Sequence, residues 1–330
     1  SAVQDCFIFK GASMRLDAVS PRRAGRIVVT ALGLAVAICG AASQLARAEE
    51  KPNSSATETI AADGIVTERD VEYGRGGDEP LKLDLARPAG EGPFPGVVCI
   101  HGGGWRPGNK ASLIDLTRRL AQEGFVAVTV QYRLAPQSTF PAQVEDVKCA
   151  VRWLRANAEK LDLDPDYIGA IGFSAGGHLS LMLGLLDEKD GLNGKGGHPD
   201  KQSKVQAVVN FFGPDDLTTK YPRDVDGILQ DFVGGDPVEK IDTVKAASPV
   251  SYIDRKDAAI LTFHGTADPI VPYEQATLLD EACKKAGLAH RLETIDGGSH
   301  GWGGLQMADS LQKSIGFFKE KLVPQAADKP

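Results

Sequence analysis

The stretch Tyr167-Ile168-Gly169-Ala170-Ile171-Gly172-Phe173-Ser174-Ala175-Gly176-Gly177-His178 decides the fold, because an apolar run collapses into Gly-x-Ser-x-Gly and passes directly into a helical pattern. It reads as a strand, a sharp turn and a helix. Small neighbours let strand and helix approach closely, and the central residue of such an elbow is held in a strained backbone. Ser174 then projects from a sheet edge at a helix N-terminus. A serine in a glycine-rich turn carries no chemistry alone, so its meaning depends on what the other strand ends supply.

Outward from this elbow, apolar strands and amphipathic helices alternate. On the N-terminal side, Ile65 to Tyr73 and Leu81 to Leu85 flank Gly74-Arg75-Gly76-Gly77 and read as an antiparallel hairpin. Gly96 to Ile100 and Phe125 to Val130 are continuous apolar runs, the kind buried on both faces of a parallel sheet. Leu113, Leu116 and Leu120 share one helical face that Gly124 is placed to end, and Val144, Val147, Val151 and Leu154 repeat at helical spacing after Pro141. Beyond the elbow, Gln206 to Phe212, Ala259 to His264 and Arg291 to Ile295 are three further strands. Ala276, Leu279 and Cys283 mark a helix that Gly287 would stop, and Leu311, Ile315, Phe318 and Leu322 mark the last one. The alternation predicts one α/β domain over residues 64–324, with an eight-stranded, mostly parallel sheet and helices on both faces.

Sheets of this type place their chemistry at the C-terminal ends of strands. A hydroxyl becomes a nucleophile only when a base removes its proton, and the base needs a third group to orient it. Of six histidines, His300 alone sits in a glycine-flanked loop after the final strand, Gly297-Gly298-Ser299-His300-Gly301-Trp302, and is the candidate base. His101 belongs to a glycine loop it is expected to hold by hydrogen bonds, and His178 faces the packing behind the elbow as a core histidine. His198 is in a polar loop, His264 closes a strand and His290 opens one. The candidate acid is Asp268 in His264-Gly265-Thr266-Ala267-Asp268, with Asp215 in Phe212-Gly213-Pro214-Asp215 as rival. The glycines of His101-Gly102-Gly103-Gly104-Trp105 follow a buried strand, so the N–H groups of Gly103 and Gly104, with that of Ala175, are candidate donors to a developing oxyanion. Trp105, Phe140, Phe211, Phe212 and Trp302 border these loops. Trp105, Phe211 and Trp302 are taken as candidate pocket residues.

Residues 1–48 differ from the rest. Met14 is followed by Arg15, Arg22, Arg23 and Arg26, then an apolar run from Ile27 to Gly40, then Ala46-Arg47-Ala48, which is the three-part pattern of a signal peptide cut after Ala48, preceded by an upstream extension. The run is shorter than the ~20 apolar residues a spanning helix needs. A secreted or periplasmic location is expected, with residues 49–63 as a linker and 325–330 as a tail. The full chain carries 37 basic and 44 acidic side chains, a net charge of −7; without residues 1–48 it is 31 against 42, or −11. Such an acidic surface argues against nucleic acid or an anionic membrane as partner. Cys99, Cys149 and Cys283 lie on apolar patterns and read as buried thiols. No zinc-ligand spacing, Rossmann glycine pattern or P-loop is present, and Asp162-Leu163-Asp164-Pro165-Asp166 lacks the glycine and terminal glutamate of a calcium loop, so no metal or cofactor is expected.

With HGGGW, YRLAP, GFSAGGH, HGTADP and GGSHGW in this order, the chain resembles the α/β-hydrolase superfamily from about residue 60 to 322. HGGGW with GFSAGGH is similar to the hormone-sensitive-lipase-like and feruloyl/acetylxylan-esterase-like carboxylesterases. The resemblance implies Ser174, Asp268 and His300 as triad and Gly103, Gly104 and Ala175 as oxyanion donors. It also implies a serine carboxylesterase acting on small or polysaccharide-borne esters. No substantial N-terminal cap precedes HGGGW, and the roughly 45 residues between the sixth and seventh strands suffice only for a small lid. An amidase or peptidase of arylformamidase-like or prolyl-oligopeptidase-like type, and a non-catalytic binding protein, are the alternatives.

Overall fold

Residues 59–222 and 225–323 are described by the computed structural model. The expected extension and signal peptide, most of the linker and the C-terminal tail lie outside the described residues. The sheet has nine strands: β1 (Thr59–Ile60), β2 (Ile65–Gly76), β3 (Glu79–Pro88), β4 (Phe94–Ile100), β5 (Val126–Val130), β6 (Leu163–Phe173), β7 (Ala207–Phe211), β8 (Ala259–Gly265) and β9 (His290–Ile295). They run in the order β1-β2-β3-β5-β4-β6-β7-β8-β9. Pairing is antiparallel from β1 to the β3/β5 junction and parallel from β5 through β9. Eight strands are those expected from the sequence. The ninth, β1, is a two-residue strand inside the stretch read as linker, where Thr59 and Ile60 pair with Thr67 and Val66.

The apolar runs explain the sheet's burial. In β4, Val97 and Cys99 join one core with Phe125, Phe211, Phe263 and Phe318, whereas Val98 and Ile100 join another with Val144, Leu179 and Leu279. Successive side chains of a strand point to opposite faces, so an uninterrupted apolar run requires cover on both. That cover comes from α1 (Ile114–Gln122), α2 (Ala142–Ala156), the short α3 (Ala158–Leu161), α4 (Ala175–Leu185), α5 (Asp226–Val233), α6 (Ile241–Ala246), α7 (Glu274–Ala286) and α8 (Gly304–Leu322). Gly124 (φ 93°) follows α1 and Gly287 (φ 74°) follows α7, both in the left-handed region that ends helices at little cost for glycine. Every residue of α4 is buried, which accounts for its apolar composition all round. Cys99, Cys149 and Cys283 are free, buried thiols, and burial pushes Cys99 and Cys283 up to about 12. The Asp162 to Asp166 stretch forms a left-handed turn at Asp162 (φ 53°) and the first residues of β6. Between β7 and β8 the chain places α5 and α6, in the stretch whose length suffices only for a small lid.

Candidate active site

The elbow is tight because three glycines leave no room for a Cβ. A methyl on Gly172 would lie 2.1 Å from Gly176 O, one on Gly176 2.1 Å from Ile100 O, and one on Gly177 2.4 Å from Asn210 Oδ1. Strand β6 and helix α4 therefore cross at backbone contact. Ser174, between them, takes φ 53°, ψ −121°, a conformation that costs on the order of 1–3 kcal/mol and persists only where its surroundings fix it. Its N–H donates to Phe211 O at 2.8 Å, tying the turn to β7.

Two further loops converge on Ser174. A methyl on Gly265, at the end of β8, would meet Gly298 O at 2.2 Å, and Ala267 N donates to Gly298 O at 2.9 Å, so the loops after β8 and β9 lie directly on one another. This contact brings Asp268 and His300 together. His300 Nδ1 lies 2.7 Å from Asp268 Oδ2, and Nε2 lies 2.9 Å from Ser174 Oγ. The Asp268 side chain is fully buried, with its other oxygen accepting from the N–H groups of Ile270 (2.9 Å) and Val271 (3.0 Å). Burial by itself would raise its carboxyl. Hydrogen bonds from His264 and His300, with the backbone donors, outweigh that and hold it well below the ordinary carboxylate range. A carboxylate so held accepts from Nδ1–H and leaves Nε2 as the basic nitrogen facing the hydroxyl.

The rival acid is elsewhere. Asp215 is fully buried, its carboxyl oxygens have no hydrogen-bond partner, and burial pushes its carboxyl well up from the ordinary carboxylate range. Its N–H donates to Gln275 Oε1, away from His300.

On the other side of Ser174, the glycine loop after β4 presses on the elbow: a methyl on Gly102 would meet Phe173 O at 2.6 Å and Ser174 Cβ at 3.3 Å. Gly103 (φ 117°) and Gly104 (φ 59°) hold backbone angles suited to glycine. Ala175 is the first residue of α4, and its N–H is among those that a helix leaves without an intrahelical acceptor. The loop that carries Gly103 and Gly104 thus touches the elbow at Gly102, and Ala175 follows Ser174 directly in the chain. The loop is locked from behind, as expected, by His101, whose ring stacks on Tyr132 (4.4 Å) while Tyr132 Oη donates to His101 O. His178 is a satisfied core histidine. Trp105 Nε1–H donates to its Nδ1 at 3.2 Å and its Nε2–H donates to Ala247 O at 2.7 Å.

Two of the candidate pocket aromatics are corrected. Phe211 is completely buried, sandwiched between Phe173 (4.6 Å) and Phe263 (4.7 Å), so a substrate cannot reach its ring. Trp105 is 4% exposed and lies flat on Phe232 of α5 at 4.0 Å, which makes it the floor of the glycine loop and not a wall of a pocket. Trp302 is half-buried, edge-on to Phe212 (5.4 Å), and Phe212 itself packs against the His300 ring at 4.8 Å. Phe212, which sequence reasoning left among the bordering aromatics, is thus the one that touches His300. His264 was also missed: its Nε2 lies 2.9 Å from Val271 O and 3.4 Å from Asp268 Oδ2, buttressing the carboxylate. The only signal for it was its place four residues before Asp268.

A largely parallel sheet carrying a serine elbow, a histidine after the last strand and an aspartate after the strand before it defines an α/β-hydrolase fold. The chain belongs to the BD-FAE family, whose model matches residues 83–283. It is 33% identical over 227 residues to esterase LipQ of Mycobacterium tuberculosis, covering 67% of this chain and 53% of that one. The chain spans about half the length of the curated relatives it matches. Among solved structures it is similar to a truncated carbohydrate esterase from gut microbiota (TM-score 0.71, 30% identity, 80% of this chain and 99% of that chain). It is also similar to esterase Est2 of Thermogutta terrifontis with propionate bound (TM-score 0.66, 30% identity, 78% and 96%).

Proposed function

We propose that this chain is a serine carboxylesterase hydrolysing short acyl or aryl esters, among them acetyl or feruloyl groups carried on polysaccharide, and that it works outside the cytoplasm. The observation that carries this reading is the unbroken chain of contacts from Ser174 Oγ through His300 to Asp268. Ser174 Oγ attacks the ester carbonyl as its proton passes to His300 Nε2. The carbonyl oxygen becomes an oxyanion facing the N–H groups of Gly103, Gly104 and Ala175, each donor worth about 3 kcal/mol in such sites. Collapse breaks the bond to the alcohol oxygen, which leaves with the proton from His300. Water, deprotonated by the same nitrogen, then attacks the acyl-enzyme, and the acid departs as Ser174 regains its hydrogen. Asp268 stays ionised throughout and fixes the tautomer.

Names among the similar structures support ester chemistry on carbohydrate and on small acids. Export rests on the signal-peptide pattern alone. The test is hydrolysis of p-nitrophenyl acetate together with labelling by a fluorophosphonate probe. Ser174→Ala is expected to lower kcat by about 10³-fold or more and to abolish labelling; equal rates for parent and variant would refute the assignment.

A further inference from the structure

The sheet order divides the site into two sides. Ser174 ends β6; the Gly103–Gly104 loop follows β4 on one flank, while Phe212, Asp268 and His300 follow β7, β8 and β9 on the other. In the reaction proposed above the alcohol oxygen must receive its proton from His300 Nε2, so the alcohol lies on the β7–β9 flank. The carbonyl oxygen takes the N–H groups of the glycine loop, and the acyl group, the remaining substituent on the same carbon, points away from the imidazole and lies alongside that loop. What stands there is α5. A methyl on Gly104 would lie only 2.8 Å from Ile228 Cγ2 and 3.4 Å from its Cδ1, so Ile228 covers Gly104 directly.

The helix carrying Ile228 is firmly seated. Phe232 stacks on Trp105, Arg106 pairs with Asp231 at 3.2 Å, and Phe140 N donates to Phe232 O at 2.7 Å. By contrast the alcohol flank is open, with Trp302 only half-buried and Leu305, in the first turn of α8, 91% exposed.

We infer that Ile228 is the end wall of the acyl subsite and restricts the enzyme to small acyl groups such as acetyl, while bulky alcohols are accepted across the His300 side. This rests on the serine-esterase reading and deepens it: of the acyl groups named above it selects the small one over feruloyl. A wall made by one branched side chain discriminates by excluding methylenes, each of which is worth a factor of ten or more where a pocket is closed.

The experiment compares kcat/KM for p-nitrophenyl acetate, butyrate and octanoate, and separately for acetates of different alcohols, in the parent, Ile228→Ala, Ile228→Trp and, as a control on the exposed face of α5, Gln230→Ala. The octanoate-to-acetate ratio is expected to rise about ten-fold in Ile228→Ala. The butyrate-to-acetate ratio should fall by a similar factor in Ile228→Trp, and neither substitution should alter the ranking of alcohols. Unchanged acyl ratios in both Ile228 variants, a shift in the alcohol ranking instead, or an equal shift in Gln230→Ala would overturn the inference. Failure of the underlying reading is distinguishable: the parent protein would then neither hydrolyse acetate nor take up a fluorophosphonate at Ser174.

Discussion

At the scale of single residues, the two aspartates once competing for one role have opposite electrostatics. Asp268 receives four donors, which hold its carboxyl low; Asp215 receives none, and burial raises its carboxyl. Asp268→Asn keeps the shape but offers an amide where Nδ1–H must donate, so kcat is expected to fall about 10³- to 10⁴-fold with little change in KM, measured on p-nitrophenyl acetate. Asp215→Asn should act on stability alone. Because burial raises the carboxyl of Asp215 in the folded chain, folding takes up a proton as pH rises above about 4, where the unfolded side chain ionises first. The Tm of the asparagine variant relative to the parent should therefore climb as pH rises above about 4, and a pH-independent difference would contradict a raised carboxyl at Asp215. The sequence pairs Asp268 with His300 through loop position and motif, and the structure sets the two side chains 2.7 Å apart. The sequence could not separate Phe211 from Phe212. Both close an apolar run, but the strand stops at Phe211, and Phe212 takes φ 42° to turn its ring onto His300. Nothing local in the sequence announces a positive φ for a phenylalanine.

Among elements, the crossing of β6 and α4 fixes where Ser174 stands, and its determinant is the absence of side chains. Gly176→Ala would drive a methyl into Ile100 O, so a loss of about 3 kcal/mol or more is expected, read as a large drop in Tm and soluble yield. Gly316→Ala, mid-way along α8 on an exposed position with open space around it, should instead raise stability by about 0.8–1 kcal/mol through helix propensity. If both substitutions behaved alike, backbone contact would not be what holds the elbow. The elbow, the buried strands and the helices with regular apolar spacing are legible in the sequence because each is specified by residues close to one another. The seating of α5 is not, since its determinants are Trp105, Arg106 and Phe140, more than eighty residues away from their partners on that helix. Strand β1 escapes for the opposite reason: two residues in a polar stretch are too few to show any period, and only pairing with β2 makes them a strand.

For the molecule as a whole, His178 is the point where three separate segments meet: α4, which carries it; the glycine loop, through Trp105; and the residue after α6, through Ala247 O. Nδ1 accepts and Nε2–H donates, an arrangement open only to the neutral imidazole, and complete burial pushes its pKa down to about 4. An unfolded histidine titrates near 6.5. Between pH 6.5 and 4 the unfolded chain therefore binds a proton that the folded chain refuses, so stability is fully present above 6.5 and declines as pH falls through that window, by on the order of 3 kcal/mol. His101 and His290, also lowered by burial, add to the decline with the same sign. Asp268 does not contribute there, because its lowered pKa removes stability only at more acidic pH, below the range where free carboxylates titrate. Asp215, whose carboxyl is raised, acts with the opposite sign over the same range, so the readout is a difference: in urea unfolding at pH 7.5, 6, 5 and 4.5 the midpoint of the parent minus that of His178→Gln, which is destabilised at neutral pH, should shrink as pH falls below 6.5. Parallel curves for parent and variant would mean that the histidine bonded to Trp105 of the glycine loop is not what couples stability to acid.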